Sequence, residues 1–229
     1  MNVEVKLTGM NMRLMTGNLT GSSRANFSIS HLLAAARFSR EVGKLQSDNK
    51  GRPFGDFFED IQSNVIATVL TATAALESYA NELFVDHATV FPNQSSLILV
   101  KLWEVYETKQ TLEKFDLALL LLEKDKCDRG ASPYQDVASL TKLRNALVHF
   151  KPEWTHEQHE HAKVASALKG RIERSPFFVS GEPLFPRGWA SHSATKWAVT
   201  SIASFIFAFE KSAQLQSRLE PYRSRLDDL

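Results

Sequence analysis

Along most of this chain apolar residues return every three or four positions, the period of a helix face turned toward a core. Residues 1–27 do not follow it. They are rich in Gly, Asn, Thr and Ser and read as an irregular arm, with a short strand suggested at Val3–Leu7. From Ser28 the pattern turns helical, and Leu32, Leu33, Ala36, Val42 and Leu45 mark a helix over His31–Gln46. Asp48, Asn49, Gly51, Pro53 and Gly55 break it. Asp56, with Glu59 three residues on, has the form of a capping box and opens a long helix to about His87. Its Ile61, Val65, Val69, Ala72, Leu76, Tyr79 and Leu83 make one continuous stripe.

A further helical stretch covers Leu97–Lys124 with a break near Lys109, and its ungapped run Leu117–Leu122 is expected at the centre of the core. Ser132-Pro133-Tyr134-Gln135 reads as a helix start: N-cap Ser, Pro at the first helical position, Gln at the third. That helix should run to about Phe150, where Pro152 stops it. Thr155 with Gln158 suggests another capping box, opening a short helix to Leu168. Residues 170–191 are an irregular insertion with exposed-looking Phe177 and Phe178. A last helix, Ser193–Leu219, ends before Pro221 and leaves 220–229 as a tail. The pattern therefore predicts an all-α bundle of about five to seven helices over 28–219. There is no internal repeat. Without a Gly-rich phosphate loop, a Rossmann or P-loop reading has no support.

Composition narrows the partners. Lys and Arg number 27 against 26 Asp and Glu, a net charge of +1, so coating of nucleic acid by bulk charge is excluded while a local basic site is not. Cys127 is the one cysteine, which excludes an internal disulfide and a Cys-based zinc site and points to a reducing cytoplasm. Met1–Gly9 lacks the apolar core of a signal peptide. The apolar stretch Trp197–Phe209 is interrupted by Thr200, Ser201 and Ser204, so it reads as a buried helix and no membrane partner is expected.

Candidate chemistry gathers at the end of the helix that starts near Ser132. On a wheel at about 100° per residue from Val137, Leu143, Leu147, Leu140 and Val148 form an apolar arc, and Arg144 falls inside it at about 340°. A guanidinium on a packing face needs a partner or a task. Asn145 at about 80° and His149 at about 120° share the adjacent flank, one turn apart.

Arg144-Asn145-Ala146-Leu147-Val148-His149 resembles the motif of HEPN domains: Arg, a polar residue, then His, with four residues between Arg and His. Leu143–Glu153 around it, and Ala75-Leu76-Glu77-Ser78-Tyr79-Ala80-Asn81-Glu82-Leu83 on the long helix, are similar to bacterial HEPN proteins. Arg187 to His192 and Arg24 to His31 have comparable spacing, but only Arg144 has the following polar residue and a place near a helix end. The resemblance covers about residues 28–215. It implies a metal-independent endoribonuclease, without cofactor, that works as a homodimer with two motifs facing one cleft. It also implies a toxin–antitoxin or antiviral defence setting, where an antitoxin such as a nucleotidyltransferase-like protein would be a partner. In that scheme His149 moves protons, Arg144 forks onto phosphate oxygens, and Asn145 orients the ring or the scissile phosphate. The alternative is a HEPN-like dimerisation or partner-binding module that cuts nothing, with Arg144 paired inside the bundle to Glu77 or Glu82 and His149 complementing the helix dipole.

Glu77 and Lys114 are supporting candidates, Glu77 to hold Arg144 and Lys114 to add positive charge to the cleft; ordinary structural roles compete for both. His156, His159 and His161 fail the zincin spacing and share no face, so a solvated helix start or a local RNA-facing patch is the better reading, and no metal is expected. Trp103, Trp154, Trp189 and Trp197 are expected to pack rather than stack on RNA.

Overall fold

The stripe from Ile61 to Leu83 lies on one helix, as its spacing predicts, and that helix is the axis of the fold. In the computed structural model, which describes residues 3–7, 10–14, 22–154, 156–179 and 181–229, it is α2 (Phe57–Val85). Before it comes α1 (Ser28–Asp48). After it come α3 (His87–Val90), α4 (Ser96–Tyr106), α5 (Thr111–Leu121), α6 (Ser132–Val148), α7 (Glu160–Leu168), α8 (His192–Ala213) and α9 (Arg223–Asp227). The fold is an all-α bundle. Among the described residues seven helices reach nine residues or more, within the predicted range, and α3 and α9 are short turns.

Side-chain bonds fix the directions of the main helices. Ser28 at the start of α1 bonds Glu82 near the end of α2, so the two run antiparallel. Ser39 Oγ donates to Thr195 Oγ1 at 2.9 Å, and Tyr79 Oη donates to Glu210 Oε1 at 2.8 Å, which sets α8 alongside α2 in the same direction. The core between them takes Leu32, Ala36 and Val42 from α1, the whole α2 stripe, Val137, Leu140 and Leu143 from α6, and Ile202, Phe205 and Phe209 from α8. Each large aliphatic side chain buried there contributes about 1.5–3 kcal/mol. Phe115 of α5 stacks with Tyr79 and meets Phe205 and Phe209 edge-on, closing one end.

The end of α2 also collects the chain segments that enter and leave the bundle. Phe27 and Ser28 donate their backbone N–H groups to Glu82 Oε1, both at 2.9 Å. Glu82 thus caps α1, whose own N-cap Phe27 has no side-chain acceptor. Asp86 takes Arg24 on one oxygen and Arg218 on the other, the latter at 3.0 Å. Glu210, buried on α8, accepts from Tyr79, Ser217 and the Arg218 backbone. Burial and the Glu210 carboxylate push the Tyr79 phenol well above its usual range.

Several expectations are corrected. The arm holds not one strand but an antiparallel three-stranded meander, β1 (Val3–Leu7), β2 (Met10–Leu14) and β3 (Ser22–Ala25), with Val3 opposite Leu14 and Met10 opposite Ala25. Asp56 does precede α2, but no side-chain cap bond forms there because its backbone is already helical. Ser132 is the first helical residue rather than the cap, since its hydroxyl donates to Asp136 one turn on and Ala131 takes the cap position. The Leu117–Leu122 run is not uniformly core: successive helical residues diverge by about 100°, and Leu120 is 62% exposed. α6 stops at Val148 rather than Phe150, and α8 stops at Ala213 because Gln214 adopts a left-handed conformation at φ 56°. Phe177 and Phe178 are half-buried against Phe57 and Phe58. Thr155 lies outside the described residues, and the short helix begins at Glu160.

Candidate functional site

Leu140 and Leu143 fix α6 against the core, and the helix leaves its last turn at the surface. Arg144 is half-buried at the edge of the packing face, while Asn145 and His149 are exposed on the flank the wheel assigned to them. The guanidinium folds across the helix and donates from Nη1 to Asn145 Oδ1 at 3.0 Å. His149 is the C-cap residue, and its backbone N–H closes the last turn on the Asn145 carbonyl at 2.9 Å. Arg144 and Asn145 are thus bonded side chain to side chain, with His149 one turn on at the helix end. Among the described residues no carboxylate pairs with Arg144 and nothing bonds the His149 ring.

The two competing Arg–His matches are taken up structurally. Arg24 bonds Asn26 and Asp86. The His192 ring is packed over Gly43, and burial, then nearby Lys196, holds its pKa below the usual imidazole range.

Neither carboxylate proposed for Arg144 reaches it. Glu77 takes the Thr111 hydroxyl and the Lys114 ammonium, and Glu82 caps α1. Lys114 is 1% exposed and also donates to Asn81 Oδ1 at 3.0 Å, with its ammonium 5.3 Å from the Trp103 ring centroid. A desolvated ammonium needs these partners, so the two supporting candidates serve each other, and Lys114 adds no charge to an open cleft.

The segment after the motif is pinned from behind. His161, expected on a solvated surface, is 4% exposed. It stacks on Phe150 with centroids 5.4 Å apart, meets Phe185 edge-on, and donates from Nε2 to the Lys151 carbonyl at 2.9 Å. That bond needs a proton on Nε2, while Nδ1 stands 3.8 Å from Glu153 Oε2 without a hydrogen-bond partner. Glu153 bridges to the start of α7, where its carboxylate accepts the N–H groups of His159, Glu160 and His161 at 3.1, 2.9 and 3.1 Å. These backbone donors, Glu160 first, hold its carboxyl below the usual range. His156 and His159 stay exposed, and among the described residues no group of three or more His, Cys, Asp or Glu is gathered to hold a metal.

Of the four tryptophans, Trp189 is buried, Trp103 stacks on Phe84, and Trp197 packs partly against the core. Trp154 contradicts the packing expectation: it is 75% exposed. No helix among the described residues is long and apolar enough to cross a membrane. Comparison with family models, curated proteins and solved structures gave no match to this chain.

Proposed function

We propose that this chain is a metal-independent endoribonuclease of the HEPN type, cutting RNA in a cleft shared by two copies of itself. The observation that carries this reading is that half-buried Arg144, bonded to Asn145, and exposed His149 share the last turn of α6, with neither the guanidinium nor the imidazole paired to a carboxylate among the described residues. RNA supplies its own nucleophile. His149 takes the proton of the ribose 2′-hydroxyl, whose oxygen attacks the adjacent phosphorus. The P–O5′ bond breaks as His149 of the partner subunit protonates the leaving oxygen, giving a 2′,3′-cyclic phosphate and a free 5′-hydroxyl. Arg144 stabilises the charge that builds on the phosphate oxygens, and Asn145 holds Arg144 beside the His149 turn. A toxin–antitoxin or antiviral defence system is the setting for such an activity, with a nucleotidyltransferase-like antitoxin as its restraining partner.

The test is cleavage of labelled single-stranded RNA in EDTA by the wild type beside His149→Ala and Arg144→Ala. Each variant should lose about 10²–10⁴-fold in rate, with cyclic phosphate ends on the wild-type products. Undiminished cleavage by His149→Ala refutes the assignment. A second reading, a dimerisation or partner-binding module that does not cut, is favoured by α4, which leaves Leu97, Ile98, Val100 and Val105 exposed to solvent. No cleavage by a folded, dimeric wild type would decide for it.

A further inference from the structure

An exposed indole on a tethered loop is an uncommon arrangement, because tryptophan gains much from burial and a free loop would let it collapse onto the core. Here the loop is not free. The Lys151 carbonyl is held by His161, the Glu153 carboxylate by three N–H groups, and the Trp154 carbonyl accepts from Glu157 N–H at 3.0 Å. The chain leading up to Trp154 is thus tied to α7, and the ring stands in solvent.

The surroundings favour a polyanion over an apolar partner. Lys142, Arg144 and Lys151 precede Trp154 in the sequence. Of the acids near it, Glu153 is turned inward onto backbone donors and Glu160 is paired with Lys163, which leaves exposed Glu157 as the one free of a Lys or Arg partner among the described residues. An exposed aromatic face in a stretch carrying several cations is the kind of feature by which proteins stack the bases of single strands while their phosphates are neutralised. Trp154 comes five positions after His149, so their Cα atoms lie at most about 17 Å apart, within about five nucleotides of a stacked strand.

We infer that Trp154 is the base-stacking platform of this site, setting where a single-stranded RNA lies relative to His149. The inference rests on the ribonuclease reading and adds a substrate-binding residue to it. Stacking is tolerant of base identity, so Trp154 determines affinity and register rather than sequence.

The experiment measures binding in the His149→Ala chain, which separates binding from cleavage. The probe is a fluorescein-labelled single-stranded RNA of about 12 nucleotides, beside an abasic oligomer of the same length. Adding Trp154→Ala should weaken RNA binding by about 5- to 150-fold, and Trp154→Phe should restore most of it. Binding of the abasic oligomer should not change with either substitution. If the parent binds RNA and Trp154→Ala binds it equally well, the stacking role is overturned and the ribonuclease reading stands. If Trp154→Ala instead converts a dimer to a monomer by light scattering, the residue is a subunit contact and the inference is also overturned. If the parent binds no RNA at all, the ribonuclease reading fails and this inference fails with it.

Discussion

Replacing Glu77 by Gln removes the charge opposite an ammonium that is 1% exposed, whereas replacing Lys114 by Met removes the ammonium itself and leaves a carboxylate that is 40% exposed. The two substitutions break the same ion pair, yet their costs should differ, because only the lysine has been taken out of water. In Glu77→Gln, Lys114 keeps the Asn81 oxygen at 3.0 Å and the Trp103 face at 5.3 Å, so the loss belongs at the lower end for a broken buried pair, about 3 kcal/mol. In Lys114→Met the volume is conserved, and Glu77 retains water and the Thr111 hydroxyl, so the loss should stay within about 1 kcal/mol. For a chain of this length these correspond to falls in Tm of about 6–12 °C and at most about 4 °C. Urea midpoints and thermal unfolding followed by far-UV circular dichroism measure both, and the double variant should resemble Lys114→Met rather than the sum. A loss in Lys114→Met equal to or larger than that in Glu77→Gln would refute the reasoning. Well below either Tm, RNA cleavage by both variants should match the wild type, since neither residue reaches Arg144.

Three further predictions concern protons and packing. Because the folded Glu153 carboxyl lies below its usual range, its stabilisation is present above about pH 4.3 and is lost as pH falls through the lowered folded value; Glu153→Gln should flatten that acid limb and speed amide exchange at His159, Glu160 and His161, and unchanged exchange there would contradict the capping role. His192 has the same sign at higher pH: the unfolded chain accepts a proton that the folded ring resists, so stability is unaffected above about pH 6.5 and falls below it until the folded ring protonates, a loss His192→Gln should remove. A Cβ on Gly43 would stand 3.0 Å from that ring, so Gly43→Ala should destabilise the wild type but gain about 1 kcal/mol in a His192→Ala background, where helix propensity acts alone.

What could be read in the sequence was set by how local its physics is. The α2 stripe was legible because every contributing residue obeys one period on one helix, and the break between α4 and α5 because Lys109 lies where that period fails. The shared flank of Asn145 and His149 followed from the same geometry. Caps were less legible: Ser132 has the right chemistry for an N-cap, but its hydroxyl found Asp136 instead. The end of α8 carries no glycine, so Gln214 gave no warning of its left-handed turn. The Glu77–Lys114 pair joins α2 to α5 across 37 residues, and the Glu82 cap joins α2 to α1 across 54, distances at which periodicity is silent. Trp154 was misjudged for a related reason. The chain before it is tied to α7 through Glu153 and His161, and neither contact has a signature in the residues around Trp154.

Asp86 has a mechanical consequence. One carboxylate grips Arg24, ahead of the first helix of the bundle, and Arg218, beyond its last long one. Tension applied between those two points loads Asp86 first, with Glu82 and Glu210 behind it, before any helix is peeled from its neighbours. The bundle is thus fastened like a strap at one buckle. Asp86→Asn should leave the helices packed but lower the force at which they begin to separate in a single-molecule pulling experiment.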